Sequence, residues 1–206
     1  NTDDVVGIAL KSTAASANGG VIVDLTYVND ASVVTKLTLG DATNGVLGLT
    51  VDGGDGNDRF TVADVLGVGI SLTIHGGNGA DTLVGPNVAT SWTINGPNAG
   101  FATGISLFDG VENLTGRGGD DVFTVGETLG VLGSISGQID GGNGDDRLIG
   151  PDAANTWSLS GADAGALNVG AETGFASFVA IENITGGSAA DVFKLQTLES
   201  ISGEIA

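Results

Sequence analysis

The feature that most constrains the fold is a glycine-rich turn sequence that recurs with the same residues around it. Five complete copies and two degenerate ones occupy residues 52–60, 75–83, 115–123, 140–148 and 185–193, and 95–100 and 160–165. With the first glycine of each copy as an anchor, the anchors are 53, 76, 96, 116, 141, 161 and 186, at steps of 20–25 residues. A repeat of this period indicates one supersecondary unit stacked many times.

The residues around each anchor alternate in polarity. Two places before the anchor, every copy has a branched aliphatic residue between two polar ones: Val51, Ile74, Ile94, Leu114, Ile139, Leu159 and Ile184. Seven places after it, the complete copies carry a large apolar residue: Phe60, Leu83, Phe123, Leu148 and Phe193. A period of two predicts a strand with one buried row on each side of the turn.

Strand, turn and strand repeated in register predict an all-β protein, a parallel β-solenoid of the β-helix or β-roll type with 20–25-residue coils. Stacked coils, ~4.8 Å apart, would share a core that one coil cannot bury alone. Trp92 and Trp157 are 65 residues apart, and Glu112 and Glu182 are 70 apart, which indicates a three-coil super-repeat. An antiparallel sandwich is the alternative, but its turns recur roughly every 8–12 residues. We expect the array to span 51–206 and residues 1–50 to form an N-terminal cap or diverged coils.

Composition excludes several classes of function. The 206 residues include 25 acids and 6 bases, a net charge of −19, which disfavours nucleic acid and anionic membrane surfaces as partners. There is no Cys, and His75 is the one histidine, so thiolate chemistry is excluded and little acid–base catalysis is expected. No apolar run approaches the ~18 residues of a membrane span. We expect a protein that is not an enzyme and does not insert into membranes.

The acids concentrate in the turns. Ten of the 25 lie in the 45 residues of the complete copies, and the sixth place counted from the anchor is Asp in all five: Asp58, Asp81, Asp121, Asp146 and Asp191. Turn propensity explains the glycines and asparagines but not this invariant Asp. Carboxylates beside turn carbonyls are the ligands of Ca²⁺, which takes 6–8 oxygens. The pattern therefore predicts calcium binding.

Three turns also fit a known motif. Residues 53–61, 76–84 and 141–149 each read Gly-Gly-x-Gly-x-Asp-x-U-x, where U is a large apolar residue. This resembles the calcium-binding β-roll repeat of RTX (haemolysin-type) proteins. More widely, residues from about 50 to 206 resemble the repeat arrays of giant secreted or surface-attached bacterial proteins. The copies here lie 20–25 residues apart instead of following one another every nine, and Arg117 and Ala189 interrupt two of them.

The resemblance implies ions between stacked turns, held by sixth-place aspartates and loop carbonyls. It pairs Asp58 with Asp81 and Asp121 with Asp146, and it leaves Asp191 for a turn beyond the C-terminus, so at most two ions are expected. The carbonyl ligands that it implies are those of Gly53, Asp55, Gly76, Asn78, Gly141 and Asn143.

These patterns favour a structural role: an extracellular, calcium-binding module of a bacterial stalk, matrix fibre or surface layer. The repeat pattern is cut at Ser202–Ala206, so we expect stacking on flanking repeats of a longer chain or end-to-end self-assembly. An adhesin that binds cell-surface glycans or a receptor is the alternative, although Trp92 and Trp157 share the parity of the buried row and are expected in the core. A polysaccharide-lyase-like domain is a remote alternative, because such sites need clustered bases and the chain has six.

Overall fold

The computed structural model describes residues 3–11, 22–28, 33–38, 47–63, 70–170, 176–195 and 200–206. Within these ranges the protein is all-β and has no helix, hence none that could cross a membrane. The strands are β1 Val5–Lys11, β2 Ile22–Val28, β3 Val33–Thr38, β4 Leu47–Asp52, β5 Arg59–Val62, β6 Ile70–His75, β7 Thr82–Val84, β8 Ser91–Gly96, β9 Ala99–Ala102, β10 Ile105–Asp109, β11 Asn113–Gly118, β12 Val122–Val125, β13 Glu127–Thr128, β14 Val131–Leu132, β15 Gln138–Asn143, β16 Arg147–Ile149, β17 Asn155–Gly161, β18 Ala164–Val169, β19 Ala176–Val179, β20 Asn183–Thr185 and β21 Val192–Leu195.

The strands form two large sheets in which most pairings are parallel. The eleven-stranded sheet has the order β21-β17-β18-β19-β15-β11-β7-β5-β1-β2-β3, and the eight-stranded sheet has the order β20-β16-β12-β8-β9-β10-β6-β4. A two-stranded sheet joins β13 and β14. Parallel neighbours need a crossover, and here each crossover passes from one large sheet to the other.

Each complete glycine-rich turn connects a strand of one sheet to a strand of the other. The turns after β4, β6 and β20 lead from the eight-stranded to the eleven-stranded sheet, and the turns after β11 and β15 lead back. All the crossover strands of a sheet run in the same direction, so the two kinds of turn lie at opposite ends of the strands. We call the side with the turns after β4, β6 and β20 the first edge, and the side with the turns after β11 and β15 the second edge.

The register matches equivalent residues of successive turns. Val51 pairs with Ile74, and Phe60 pairs with Leu83. The aliphatic and aromatic rows predicted from the sequence are buried between the sheets, except that Val51 and Phe193 are only partly buried. The strand assignments on both sides of the complete turns are therefore confirmed.

The two degenerate copies differ from the expected coils. At 95–100 and 160–165 the chain reverses on itself, so β8 pairs antiparallel with β9 and β17 pairs antiparallel with β18. Asn98 and Asp163 occupy the tips with φ of 50° and 51°. The complete turns have a left-handed residue at the second place, as at Gly54 and Arg117, whereas the hairpins have theirs at the third place, which follows Pro97 in the first copy.

The super-repeat is consequently a three-stranded antiparallel meander followed by two strand–turn–strand units. The meanders are β1–β3, β8–β10 and β17–β19, and they lie in the eleven-, eight- and eleven-stranded sheets in turn. From the start of one super-repeat to the start of the next, the chain crosses between the two large sheets an odd number of times. The next meander therefore lies in the other sheet. For residues 1–50, the structure describes residues 3–4, β1–β3 and part of β4; the rest of the predicted cap lies outside the described residues.

The two tryptophans anchor equivalent parts of the core. Trp92 and Trp157 are 1% and 0% exposed, as their parity predicted. Trp92 stacks on Phe123 with ring centroids 5.5 Å apart, and Trp157 stacks on Phe193 at 6.1 Å. Because neither indole reaches the surface, neither can contact a ligand.

Candidate functional site

The sixth-place aspartates lie in columns along the two edges. Asp58 and Asp81 are neighbours at the first edge, and Asp121 and Asp146 are neighbours at the second. All four are at most 1% exposed. The structure therefore brings together the two pairs of aspartates that the sequence pairs.

The column at the first edge is a ladder of backbone-to-carboxylate hydrogen bonds. Asp58 Oδ1 accepts the N–H of Asp4 at 2.7 Å, and Asp81 Oδ1 accepts the N–H of Asp58 at 2.7 Å. Glu112, in the turn after β10, ends the ladder: its Oε2 accepts the N–H of Asp81 at 2.8 Å. Each carboxylate thus satisfies a buried donor of the preceding turn, which would otherwise be costly.

The column at the second edge repeats this arrangement. Asp121 Oδ1 accepts the N–H of Thr90, and Asp146 Oδ1 accepts the N–H of Asp121, both at 2.7 Å. Glu182 Oε2 accepts the N–H of Asp146 at 2.8 Å. Asp, Asp and Glu in successive turns therefore form the same ladder twice.

Asp191 stands at the start of a third column. Its Oδ1 accepts the N–H of Asn155 at 2.9 Å, at the first edge. Asn155 corresponds to Thr90 in the preceding super-repeat, so Asp191 occupies the place of Asp121. The backbone donor that Asp191 binds, the N–H of Asn155, therefore corresponds to the N–H of Thr90 that Asp121 binds.

The second carboxylate oxygen is the unusual part of the site. In the described part of the chain, the Oδ2 atoms of four aspartates are buried and have no hydrogen-bond partner: Asp58, Asp81, Asp121 and Asp146. Each lies against the first glycine of its own turn. A Cβ on Gly53 or Gly116 would lie less than 3.0 Å from that Oδ2 and from the carbonyl oxygen of the next turn, that of Gly76 or Gly141.

The same convergence occurs at the other end of each ladder. A Cβ on Gly76 would meet Asp81 Oδ2 and the carbonyl of Gly110, and a Cβ on Gly141 would meet Asp146 Oδ2 and the carbonyl of Ala180. The first glycine is required because the carboxylate and the backbone approach it closely, and not because of its φ. At all four turns, the Cα of the first glycine therefore packs closely against an unpaired carboxylate oxygen and a carbonyl oxygen.

Burial disfavours the charged form of these carboxyls. Desolvation is the largest cause of the raised pKa of Asp58, Asp81, Asp121 and Asp146, and it raises the pKa of Asp121 to about 7. The hydrogen bond from Thr90 opposes this effect on the pKa of Asp121, and the nearby charge of Asp146 adds to it. Without a cation, the charged form of these buried carboxylates therefore lowers the stability of the folded protein.

The carbonyls implied by the resemblance have different surroundings. Those of Gly76 and Gly141 lie beside the first glycine of the preceding turn, which also packs against the unpaired oxygen of Asp58 or Asp121. Gly53 packs against Asp58 Oδ2. The carbonyl of Asn78 accepts the N–H of Gly56 at 2.9 Å.

The two remaining residues implied by the resemblance are exposed. Asp55 Oδ1 accepts a hydrogen bond from the Asn78 side chain at 2.8 Å, and Asn143 pairs with Gly118. Of the implied carbonyls, Gly76 and Gly141 are therefore the best placed.

An exposed row of side chains follows each ladder on its outer side. Asp3 Oδ1 accepts the N–H of Asn57, and Asn57 Oδ1 accepts the N–H of Ala80, both at 2.9 Å. At the second edge, Asp120 Oδ1 accepts the N–H of Asp145 at 3.1 Å. These fifth-place residues tie successive turns together where solvent reaches them.

The oxygen atoms at these turns are of the chemical type that binds a hard cation. Unpaired carboxylate oxygens and backbone carbonyls are oxygen ligands of the sort that Ca²⁺ prefers. The described residues contain no group of three or more His, Cys, Asp or Glu side chains arranged to hold a metal, so carbonyls would have to supply most of the ligands. The residues that would hold an ion are Asp58, Asp81, Asp121 and Asp146, together with backbone carbonyls of the adjacent turns such as those of Gly76 and Gly141.

Sequence reasoning missed the ends of the ladders. Glu112 and Glu182 share the parity of the buried row, which suggested no role for a charged side chain. Their repetition within Glu-Asn-x-Thr-Gly, 70 residues apart, is the signal that could have identified them. In the structure both are partly exposed, and each accepts the last N–H of its column.

Comparisons with protein-family models, with curated proteins and with solved structures found no match to this chain.

Proposed function

We propose that this chain is a structural module, a segment of a parallel β-solenoid whose turns bind calcium at the two edges. Its parallel crossovers, alternating sheets and continuous core support a stack that lengthens by adding units. The solenoid consists of strand–turn–strand coils interrupted by meanders.

The observation that carries the calcium proposal is the buried Oδ2 of four aspartates, which has no hydrogen-bond partner and recurs in two pairs of adjacent turns. Two unpaired carboxylates in adjacent turns repel each other, and a divalent ion between the turns would offset that repulsion. Asp58 and Asp81 would hold one ion, and Asp121 and Asp146 a second. A net charge of −19 makes cation binding favourable over the whole surface.

The module is proposed to work outside a bacterial cell, in a stalk, matrix fibre or surface layer. Cytoplasmic calcium is kept low, and a weak extracellular site with few carboxylates suits millimolar calcium. Its partners would be flanking repeats or further copies stacked on the sheet ends. No catalytic step is proposed, because the buried carboxylates already bind backbone donors.

Isothermal titration of calcium into EDTA-treated protein tests the proposal. We expect two ions per chain, one of which is lost in Asp58→Asn/Asp81→Asn and the other in Asp121→Asn/Asp146→Asn. Asn keeps an oxygen that can accept the ladder hydrogen bond, so circular dichroism should show that both variants fold. Asp152→Asn, at an exposed acid, is the matched control and should still bind two ions.

Absence of calcium binding at millimolar concentration would refute the metal site. Binding that both double variants and the control retain equally would show that calcium binds elsewhere.

A further inference from the structure

Two large apolar side chains point outward from the middle of the eight-stranded sheet. Phe101 on β9 is 43% exposed and Leu107 on β10 is 41% exposed. β9 and β10 pair antiparallel with a register shift between Ile105 and Phe108, which places Phe101 and Leu107 on neighbouring strands of the outer face. They do not belong to the core, which lies on the opposite face of the same strands.

The second super-repeat shows that the fold does not need these residues. Its meander has the same topology, and its residues equivalent to Phe101 and Leu107 are Ala166 and Ser177, which pair directly. Ser177 Oγ donates to the carbonyl of Gly137 at 2.8 Å. A small residue and a hydrogen-bonded hydroxyl therefore suffice at this place, so the meander topology does not require Phe101 and Leu107.

Hydroxyl groups border the apolar pair on both sides. Thr93 of β8 pairs with Phe101, and Thr73 of β6 pairs with Leu107. Next to them on the same face, His75 Nδ1 and the Asp109 carboxylate are 2.8 Å apart. An exposed aromatic ring with flanking hydroxyls suits a ligand that has an apolar face and a rim of hydroxyls.

The small apolar area of the surface and the charge of the chain favour a small, uncharged occupant. Phe101 and Leu107 together expose on the order of 150 Å², far below the roughly 1,200 Å² of total area that a stable protein interface buries. A second copy would bring another net charge of −19 to this face, and an anionic partner would also be repelled. A pyranose ring matches the exposed area and carries no charge.

We infer that Phe101 and Leu107 form a binding surface for a neutral saccharide chain, with Phe101 stacked on a sugar ring. Thr73 and Thr93 would exchange hydrogen bonds with sugar hydroxyls on either side. This surface is independent of the calcium ladders, which lie at the sheet edges, and it stands or falls separately from the proposed structural role.

Affinity electrophoresis through gels containing xylan, dextran, soluble chitin or hydroxyethyl cellulose tests the inference, with alginate as an anionic arm. Titration calorimetry with the matching hexasaccharide then gives the affinity. Phe101→Ala/Leu107→Ser installs the residues of the second super-repeat and should fold normally. Val192→Thr is the control, because Val192 is also an exposed apolar residue, 50% exposed, but lies on the other sheet.

We expect retardation by at least one neutral polysaccharide and none by alginate. The double variant should lose about tenfold or more in affinity, as a stacked aromatic anchor would predict, and Val192→Thr should bind like the parent. No retardation in any gel, or equal retardation of the double variant, would overturn the inference. Concentration-dependent dimerisation in the ultracentrifuge that Phe101→Ala/Leu107→Ser abolishes would overturn it in favour of a second copy.

Discussion

At the scale of single residues, the two oxygens of the four buried sixth-place aspartates, Asp58, Asp81, Asp121 and Asp146, have different surroundings. Oδ1 accepts a backbone N–H from the neighbouring turn, and Oδ2 lies unpaired against the first glycine of its own turn. The invariant Asp therefore needs no metal to be explained, since the ladder alone requires it. The metal proposal depends on the second oxygen.

The close approach of carboxylate and glycine predicts a position-specific effect of adding one methyl group. Gly53→Ala would place a Cβ less than 3.0 Å from Asp58 Oδ2 and from the backbone carbonyl of Gly76, which cannot move freely. We expect a loss of about 2 kcal/mol or more in the free energy of unfolding. Gly48→Ala, where a Cβ has nothing within 4 Å, is the control and should change it by less than about 1 kcal/mol. Equal urea midpoints for the two variants would contradict the packing described.

The raised pKa of Asp121 predicts an unusual pH dependence in the presence of EDTA. A group whose pKa is higher in the folded than in the unfolded state contributes stability below its unfolded pKa and loses it as the pH rises through the folded value. For Asp121 this range extends from about 4 to about 7. The urea midpoint should therefore fall between pH 5 and pH 8.

The Asp121→Asn variant should show a flatter pH profile, because its side chain does not titrate. Asp152→Asn, at an exposed position, should keep the slope of the parent. Parallel profiles for Asp121→Asn and the parent would show that Asp121 does not titrate in this range.

At the scale of elements, the strand–turn–strand units could be predicted because equivalent apolar residues in successive copies reveal which strand positions pair. The aliphatic residue before each turn and the apolar residue after it mark two inward rows, and steps of 23 and 25 residues align them. The hairpins could not be separated from coils by spacing alone. A hairpin returns to the same sheet with the same polarity pattern. Both hairpin copies lack the sixth-place Asp of the complete turns, and their left-handed residues are Asn98 and Asp163.

The ends of the ladders are also element-scale features, because Glu112 and Glu182 come from the turns that follow a meander. Glu112→Ala would leave the N–H of Asp81 without an acceptor, at a cost of about 1–3 kcal/mol. Glu112→Gln keeps an amide oxygen as acceptor and should cost less than about 1 kcal/mol. Urea unfolding of both variants measures the difference. If Glu112→Gln is as unstable as Glu112→Ala, the charge of Glu112 matters and its role as acceptor does not.

At the scale of the whole molecule, the alternation of meanders between the sheets could not be read from the sequence. It follows from the number of crossovers in each super-repeat, and that number depends on which glycine-rich segments are hairpins. The dense negative charge, by contrast, was visible from composition. The structure divides part of it into two buried ladders and two exposed rows of side chains.

Thermal unfolding with and without calcium, followed by circular dichroism, tests the central claim most directly. At a calcium concentration about 100 times the dissociation constant, each site adds about 2.7 kcal/mol, so two sites should raise Tm by about 10 °C or more over that in EDTA. Asp81→Asn/Asp146→Asn, which removes one carboxylate from each ladder, should abolish most of this shift. The same Tm in millimolar calcium and in EDTA would contradict the account and leave the ladders as purely backbone-binding structures.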